Sequence, residues 1–355
     1  MNAVVVPDSP SAPLPKPTKT ALPASRGDGG PLIQRLGRKY ADRITALRRL
    51  PAREGEYVEF PSDLPSGVVD ALRARGISRL YRHQGEAWRT VQDGENLLVA
   101  TPTASGKSLC YLLPVLAAAR HGGKSLFLFP TKALAQDQVA ELIELSAAGA
   151  LGVRAATFDG DTPGDARQAI RAAGDVVVTN PDMLHQGILP HHTKWAALFE
   201  NLRYVVIDEI HGYRGVFGSH LANVIRRLKR LCAFYGSDPQ FILCSATIGN
   251  ASEHAEALIE APVHAITDSG APSGEKHLLL WNPPVRNADL GLRASARSQS
   301  VRIARVAIKA GLKTLVFCGS RTQVEVITKY LKEVFDREPR GPARIRAYRG
   351  GYLPN

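Results

Sequence analysis

The sequence predicts an α/β chain: a parallel sheet with helices on both faces, followed by the start of a second, incomplete domain of the same kind. Two observations lead there. From Leu80 onward, short apolar runs alternate with helical patterns, as strands joined by crossover helices do. Almost every polar motif stands at the C-terminal end of one of those runs, the edge along which open α/β sheets bind ligands. The strands read as residues 97–100, 125–129, 155–158, 176–179, 204–207 and 241–245, with 132–145 and 220–234 as two covering helices.

Ahead of the sheet, residues 1–30 are rich in Pro, Ser, Ala and Gly and read as a disordered tail. Residues 31–75 read as a basic helical extension. Within it, 32–50 form one amphipathic helix with Ile33, Leu36, Tyr40, Ile44 and Leu47 at helical spacing. A short helix follows from a cap at Ser66 to about Gly76. The first domain is expected over 76–266. A linker over 267–275 contains the breakers Asp268, Ser269, Gly270, Pro272 and Ser273. The second domain, 276–355, opens on the strand His277-Leu278-Leu279-Leu280-Trp281, and its strand at Thr314-Leu315-Val316-Phe317 is expected to lack partners.

The formal net charge of +12 suits a polyanionic partner. One basic set is Arg35, Arg38, Lys39, Arg43, Arg48, Arg49 and Arg53, evenly balanced between a nucleic-acid contact and a solvated helix. A second, Arg226, Arg227, Lys229 and Arg230, reads as a solvated face; a third is Arg340, Arg344, Arg346 and Arg349. Cys110, Cys232, Cys244 and Cys318 are scattered without a C-x-x-C pair, which gives neither a disulfide framework nor a zinc site. That pattern fits a reducing, cytoplasmic location. The N-terminus does not read as a signal peptide, and no apolar run approaches the ~20 residues of a membrane span.

The run Ala100-Thr101-Pro102-Thr103-Ala104-Ser105-Gly106-Lys107-Ser108 links the first strand to an apolar helix beginning at Leu109. A phosphate-binding loop needs that context, because main-chain N–H groups of a tight loop and a helix N-terminus then face an anion. Lys107 supplies a mobile cation for phosphates and Ser108 a hydroxyl for Mg²⁺. The strand Val205-Val206-Ile207 runs into Asp208 and Glu209. Asp208 suits holding Mg²⁺ through its water shell, Glu209 suits orienting and deprotonating water, and His211 suits linking the phosphate site to moving parts. Gln84 suits an adenine edge and Tyr81 a stacked ring. Thr131, Lys132, Thr179 and Asn180 are polar groups at strand ends, where phosphate contacts would position a strand without reading its sequence. Asp159-Gly160-Asp161 shares that edge and reads equally as a close-approach turn or an acidic turn. No aromatic and basic platform stands out, so chemistry alone leaves DNA against RNA open.

Together these motifs resemble the superfamily 2 DEAD/DEAH-box (DExH) helicases. Their loop reads A-x-x-T-G-x-G-K-T, with Ala104 and Ser108 as the departures here. Tyr81-Arg82-His83-Gln84 resembles the adenine-reading motif. Pro130-Thr131-Lys132-Ala133-Leu134 and Thr179-Asn180-Pro181-Asp182 resemble the motifs on the nucleic-acid backbone. Ser245-Ala246-Thr247 resembles the motif coupling hydrolysis to movement, and Leu315-Val316-Phe317-Cys318-Gly319-Ser320-Arg321 the first motif of the second motor domain. Residues 212–220 and 347–354 are similar to the bacterial DExH helicases linked to repair of mitomycin-type DNA damage.

The resemblance implies two RecA-like domains with ATP and Mg²⁺ between them. It places Pro130, Thr131, Lys132, Thr179, Asn180, Ser320 and Arg321 on nucleic acid, and gives Ser245 and Thr247 the coupling role. It also implies 3′-to-5′ unwinding of DNA, single-stranded or partly duplex, in repair, and a C-terminal four-cysteine zinc domain. An RNA helicase is the alternative, opposed by His211 and by residues 213–220. A nucleotide-binding scaffold is opposed by the intact Lys107, Asp208 and Glu209, and a small-molecule kinase by the motif series. The family's arginine-bearing Q-x-x-G-R-x-G-R pattern does not occur before Asn355, so the chain reads as an N-terminal fragment with little turnover of its own; such arginines are worth ~10³–10⁵ in rate.

Overall fold

The computed structural model describes residues 2–6, 29–336 and 344–348. Residues 7–28 of the expected tail lie outside the described residues, as do Arg340, Arg349 and the last part of the 347–354 motif. The chain divides into two compact units, Arg53–Ser273 and Met1–Ala52 together with Gly274–Asn355.

The first unit is built on seven strands: β1 (Leu97–Val99), β2 (Lys124–Leu128), β3 (Ala155–Thr157), β4 (Val176–Thr179), β5 (Leu202–Ile207), β6 (Gln240–Cys244) and β7 (His264–Ile266). Their order is β7-β1-β6-β5-β2-β4-β3, and every pairing is parallel. Six strands stand where the sequence places them. The seventh, β7, falls just before the expected linker.

Both faces of the sheet are covered, which explains why its strands read as unbroken apolar runs. Alternation divides each strand between two cores. Leu97, Val99, Phe127, Val178, Val206 and Ile242 pack under the helices Arg82–Gln92, Ser108–Ala119 and Lys132–Ala148. Leu98, Leu126, Leu128, Val177, Val205 and Leu243 pack under Gly215–Tyr235 and Ala251–Ile259. The short helix expected to be capped at Ser66 begins there, with Pro65 in the cap position and no side-chain cap.

Residues 267–273 are tied to this first unit. Arg53 and Ser273 exchange both main-chain hydrogen bonds, and the N–H of Glu56 donates to the Gly270 carbonyl. Ser269 and Ala271 are buried.

In the second unit the expected 32–50 helix is corrected. The helix spans Gly29–Lys39, and the chain then turns into the strand Ile44–Leu50. That strand pairs antiparallel with Lys276–Trp281. Tyr40, with φ −137° and ψ 35°, ends the helical path, and its ring meets the Trp281 ring edge at 5.2 Å. Strand pairing with distant residues overrides the local helical spacing, which Ile44 and Leu47 satisfy by coincidence. The start of the expected tail is likewise corrected. Asn2–Val6 is a strand between Thr314–Cys318 and Arg346–Tyr348, so Thr314–Cys318 has a partner. Leu315 and Phe317 nevertheless remain exposed.

Candidate nucleotide site and nucleic-acid edge

The loop after β1 is anchored at both ends. Ala100 N–H donates to Ile266 O, and Cys110 N–H to Lys107 O as the helix begins. Between them, Ala104 and Gly106 take left-handed backbone, φ +64° and +79°. Thr101 and Ser105 are buried and their hydroxyls meet at 2.7 Å, closing the base of the loop. Pro102, Thr103 and Ala104 form its exposed crest. The Lys107 ammonium folds back over this turn and donates to the carbonyls of Thr101 (2.9 Å) and Pro102 (3.1 Å). Among the described residues it has no carboxylate partner. A cation held only by carbonyls above a cradle of left-handed residues is a fit for phosphate.

Asp208 and Glu209 leave β5 at the same sheet edge. Asp208 N–H extends the ladder to Leu128 O, and its Oδ1 accepts Glu209 N–H at 2.8 Å. Burial pushes the Asp208 carboxyl up to about 6, against the Glu209 N–H bond and the Lys107 charge, which favour ionisation. A carboxylate so placed gains from a divalent cation. Mg²⁺ takes one or two protein carboxylates and leaves other positions to water and phosphate. Ser108 and Asp208 are the residues that would hold it. Among the described residues no group of three His, Cys, Asp or Glu suits a metal.

Glu209 is also left-handed, φ +54°, a costly conformation for a residue with a Cβ. Its Oε2 lies 3.2 Å from His211 Nε2. His211 Nδ1 accepts the main-chain N–H of Ala246 at 3.2 Å, so the ring proton sits on Nε2, toward Glu209. The structure therefore joins the acidic motif to Ser245-Ala246-Thr247 through one imidazole. Ser245 is fully buried with an unpartnered hydroxyl, and Thr247 is exposed.

Gln84 sits differently from the expectation of a free adenine reader. It is buried, its Oε1 accepts Tyr81 N–H at 2.9 Å, and its Nε2 donates to Gly106 O at 2.9 Å. Its amide thus binds the helix start to the phosphate loop. Neighbouring His83, part of the Tyr81-Arg82-His83-Gln84 motif, is buried beside it, with its ring stacked on Tyr81 at 5.9 Å.

Along the other strand ends, Thr131 caps the helix Lys132–Ala148 and Asn180 Oδ1 accepts Met183 N–H. Pro130 and Lys132 are exposed, and the Lys132 ammonium pairs with Asp161. Thr179 departs from the expected phosphate contact: it is buried, and its hydroxyl donates to Phe158 O at 2.6 Å, bracing β3 against β4. Arg167, not singled out in the sequence, holds the Asp159 turn by donating to Asp159 O and Thr162 O, both at 2.8 Å. Ser320 and Arg321 belong to the second unit, where Ser320 caps the helix Arg321–Phe335.

A parallel sheet carrying such a loop and an adjacent acidic strand end has the layout of a nucleoside-triphosphate-binding domain. Residues 81–255 match the DEAD/DEAH box helicase family, so the chain contains a DEAD/DEAH box helicase domain. It is 50% identical over 315 residues to the uncharacterized ATP-dependent helicase YprA of Bacillus subtilis (strain 168), covering 88% of this chain and 42% of that protein. It is 35% identical over 367 residues to the ATP-dependent helicase hrq1 of Schizosaccharomyces pombe, covering 99% of this chain and 34% of that one. Among solved structures it is similar to the DUF1998 helicase MrfA bound to DNA, with a TM-score of 0.85 and 46% identity over 93% of this chain and 44% of that chain. The chain spans less than half the length of these relatives. The sheet is the RecA-like fold of such helicases.

Proposed function

We propose that this chain forms the ATP-binding part of an ATP-dependent DNA helicase or translocase, moving 3′-to-5′ and serving DNA repair in the cytoplasm. The observation that carries the reading is the Lys107 ammonium over its loop with half-buried Asp208 and strained Glu209 at the adjoining strand end. Bound Mg·ATP supplies the γ-phosphoryl group and the charge that this site neutralises. Lys107 exchanges its two carbonyls for phosphate oxygens. Ser108 and Asp208 would hold the metal. Glu209 orients water and takes its proton, and His211 passes the change in Glu209 to the main chain at Ala246. Similarity to a helicase solved with DNA favours DNA over RNA. Pro130, Thr131, Lys132 and Asn180, with Ser320 and Arg321 of the second unit, are the groups proposed to hold the strand.

The test is nucleotide binding and ATP hydrolysis with and without single-stranded DNA or RNA, beside Lys107→Ala. Binding lost in that variant, with any residual turnover raised by DNA, supports the reading. Stimulation by RNA alone overturns the choice of DNA, and equal binding by Lys107→Ala overturns the site.

A further inference from the structure

Within the second unit, the helices Gly29–Lys39 and Ala296–Lys309 enclose a groove of about 380 Å³. Its charge is one-sided. Arg35 and Lys39 come from the first helix; Arg302, Arg305 and Lys309 come from the second, with Ser298 on the same stripe. The spacings of three and four residues put each set on one helical face. Among the described residues no carboxylate and no aromatic ring lines the groove. Arg305 is fixed at one end, where Nη2 donates to Tyr330 O at 3.1 Å, while its buried Nε has no acceptor.

Like charges three and four apart on a helix repel, and facing them with a second cationic helix adds to that cost. A polyanion removes it. Arg302 and Lys309 stand about 10 Å apart along the axis at 1.5 Å per residue. That length accommodates roughly three steps of a nucleic-acid strand at ~3.4 Å each. Without a ring to stack a base, the groove can hold backbone and not sequence.

We propose that this groove is a binding site for the sugar-phosphate backbone of a single nucleic-acid strand, additional to the strand ends of the first unit. The proposal rests on the nucleic-acid reading above. Among the described residues these five cations have no carboxylate partner, and they are arranged for successive phosphates.

The experiment is fluorescence anisotropy of a labelled twenty-nucleotide oligo-dT across a sodium chloride series, using the full chain. Arg302→Ala/Lys309→Ala is compared with wild type and with Arg89→Ala/Arg120→Ala, which removes equal charge elsewhere. Losing two phosphate contacts makes the slope of log K against log salt shallower by about 1.4, at roughly 0.7 per phosphate. The control pair keeps the wild-type slope. A groove variant that matches the control overturns the proposal, as does tripolyphosphate binding lost from the groove variant while its oligo-dT slope stays at the wild-type value. Arg35→Gln/Lys39→Gln repeats the measurement from the other helix, should the alanine pair disturb folding. Lys132→Ala/Asn180→Ala separates the two readings. If only that pair weakens binding, the groove is wrong and the helicase reading stands; if wild type binds no strand, the underlying reading fails.

Discussion

Through Nδ1, buried His83 accepts the main-chain N–H of Gly270 at 3.2 Å. The bond fastens residues 267–273 to the helix start that also carries Gln84, and Gln84 in turn holds the phosphate loop at Gly106. Burial pushes the imidazole down to about 4, and the Arg82 and Lys107 charges act in the same direction. A lowered histidine contributes stability above its ordinary value near 6.5 and loses it as pH falls toward 4, because the ring must give up its acceptor to take a proton. The protection of the amides of 267–273, relative to the intrinsic exchange rate at each pH, should therefore fall between pH 6.5 and 4, and His83→Ala should show that lower protection at pH 7. Protection that does not change with pH in wild type would contradict the tie.

Gly270 admits no side chain. A Cβ there would stand 2.9 Å from Arg82 N and 3.0 Å from Glu56 O, both main-chain atoms. Gly270→Ala should destabilise the first unit by about 1–3 kcal/mol through this overpacking, read as a lower urea midpoint with an unchanged slope.

Asp208 gives the nucleotide site its own pH dependence. Its carboxyl is raised to about 6, so it is protonated below that value and charged above it. The apo fold is favoured by this group at low pH and loses that contribution as pH rises from about 4 to 6, while metal binding needs the charged form. Affinity for Mg·ATP should rise about tenfold per pH unit up to about 6 and level off above it. Asp208→Asn should bind weakly with a flat profile. A fluorescent ATP analogue titrated from pH 5 to 8 reads both.

Glu209 and His211 should separate binding from work. Glu209→Gln should keep nucleotide affinity and lose about 10²–10⁴ in turnover, the range for a positioned base. His211→Ala should also bind nucleotide, yet lose most of the stimulation by DNA, since the link to Ala246 is gone. Unaltered stimulation would assign the coupling to other groups.

Ala104 is one of the two departures from the family's loop, and its backbone shows what a glycine there would change. Its φ of +64° crowds a Cβ, at roughly 1 kcal/mol. Ala104→Gly should raise the melting temperature slightly or leave it unchanged, the relief being offset by greater freedom in the unfolded chain. A large loss of stability would show that the methyl group packs usefully.

The sheet was legible because each strand is buried on both faces and each crossover carries its own punctuation. Lys107, Asp208 and Glu209 stood out as candidates because phosphate chemistry constrains both residue type and spacing, and the structure brings them to one sheet edge. Thr179 and Gln84 could not be placed, since nothing in a sequence says whether a polar group at a strand end turns outward or meets a carbonyl such as Phe158 O or Gly106 O. Ile44–Leu50 failed for another reason. Its partner lies far along the chain, with Thr45 reaching Leu280 across 235 positions, and a local period carries no trace of that.

The paired main-chain bonds of Arg53 and Ser273 bear on how such a chain assembles. The first unit is one uninterrupted stretch and can form as synthesis proceeds. Once formed, it brings its own entry and exit side by side. The strand at 44–50 then meets the strand at 276–281 as a short closure, although more than two hundred residues separate them in sequence. Loop-closure entropy that would otherwise grow with that length has already been overcome by the earlier folding step. Refolding of the second unit should accordingly wait on the first.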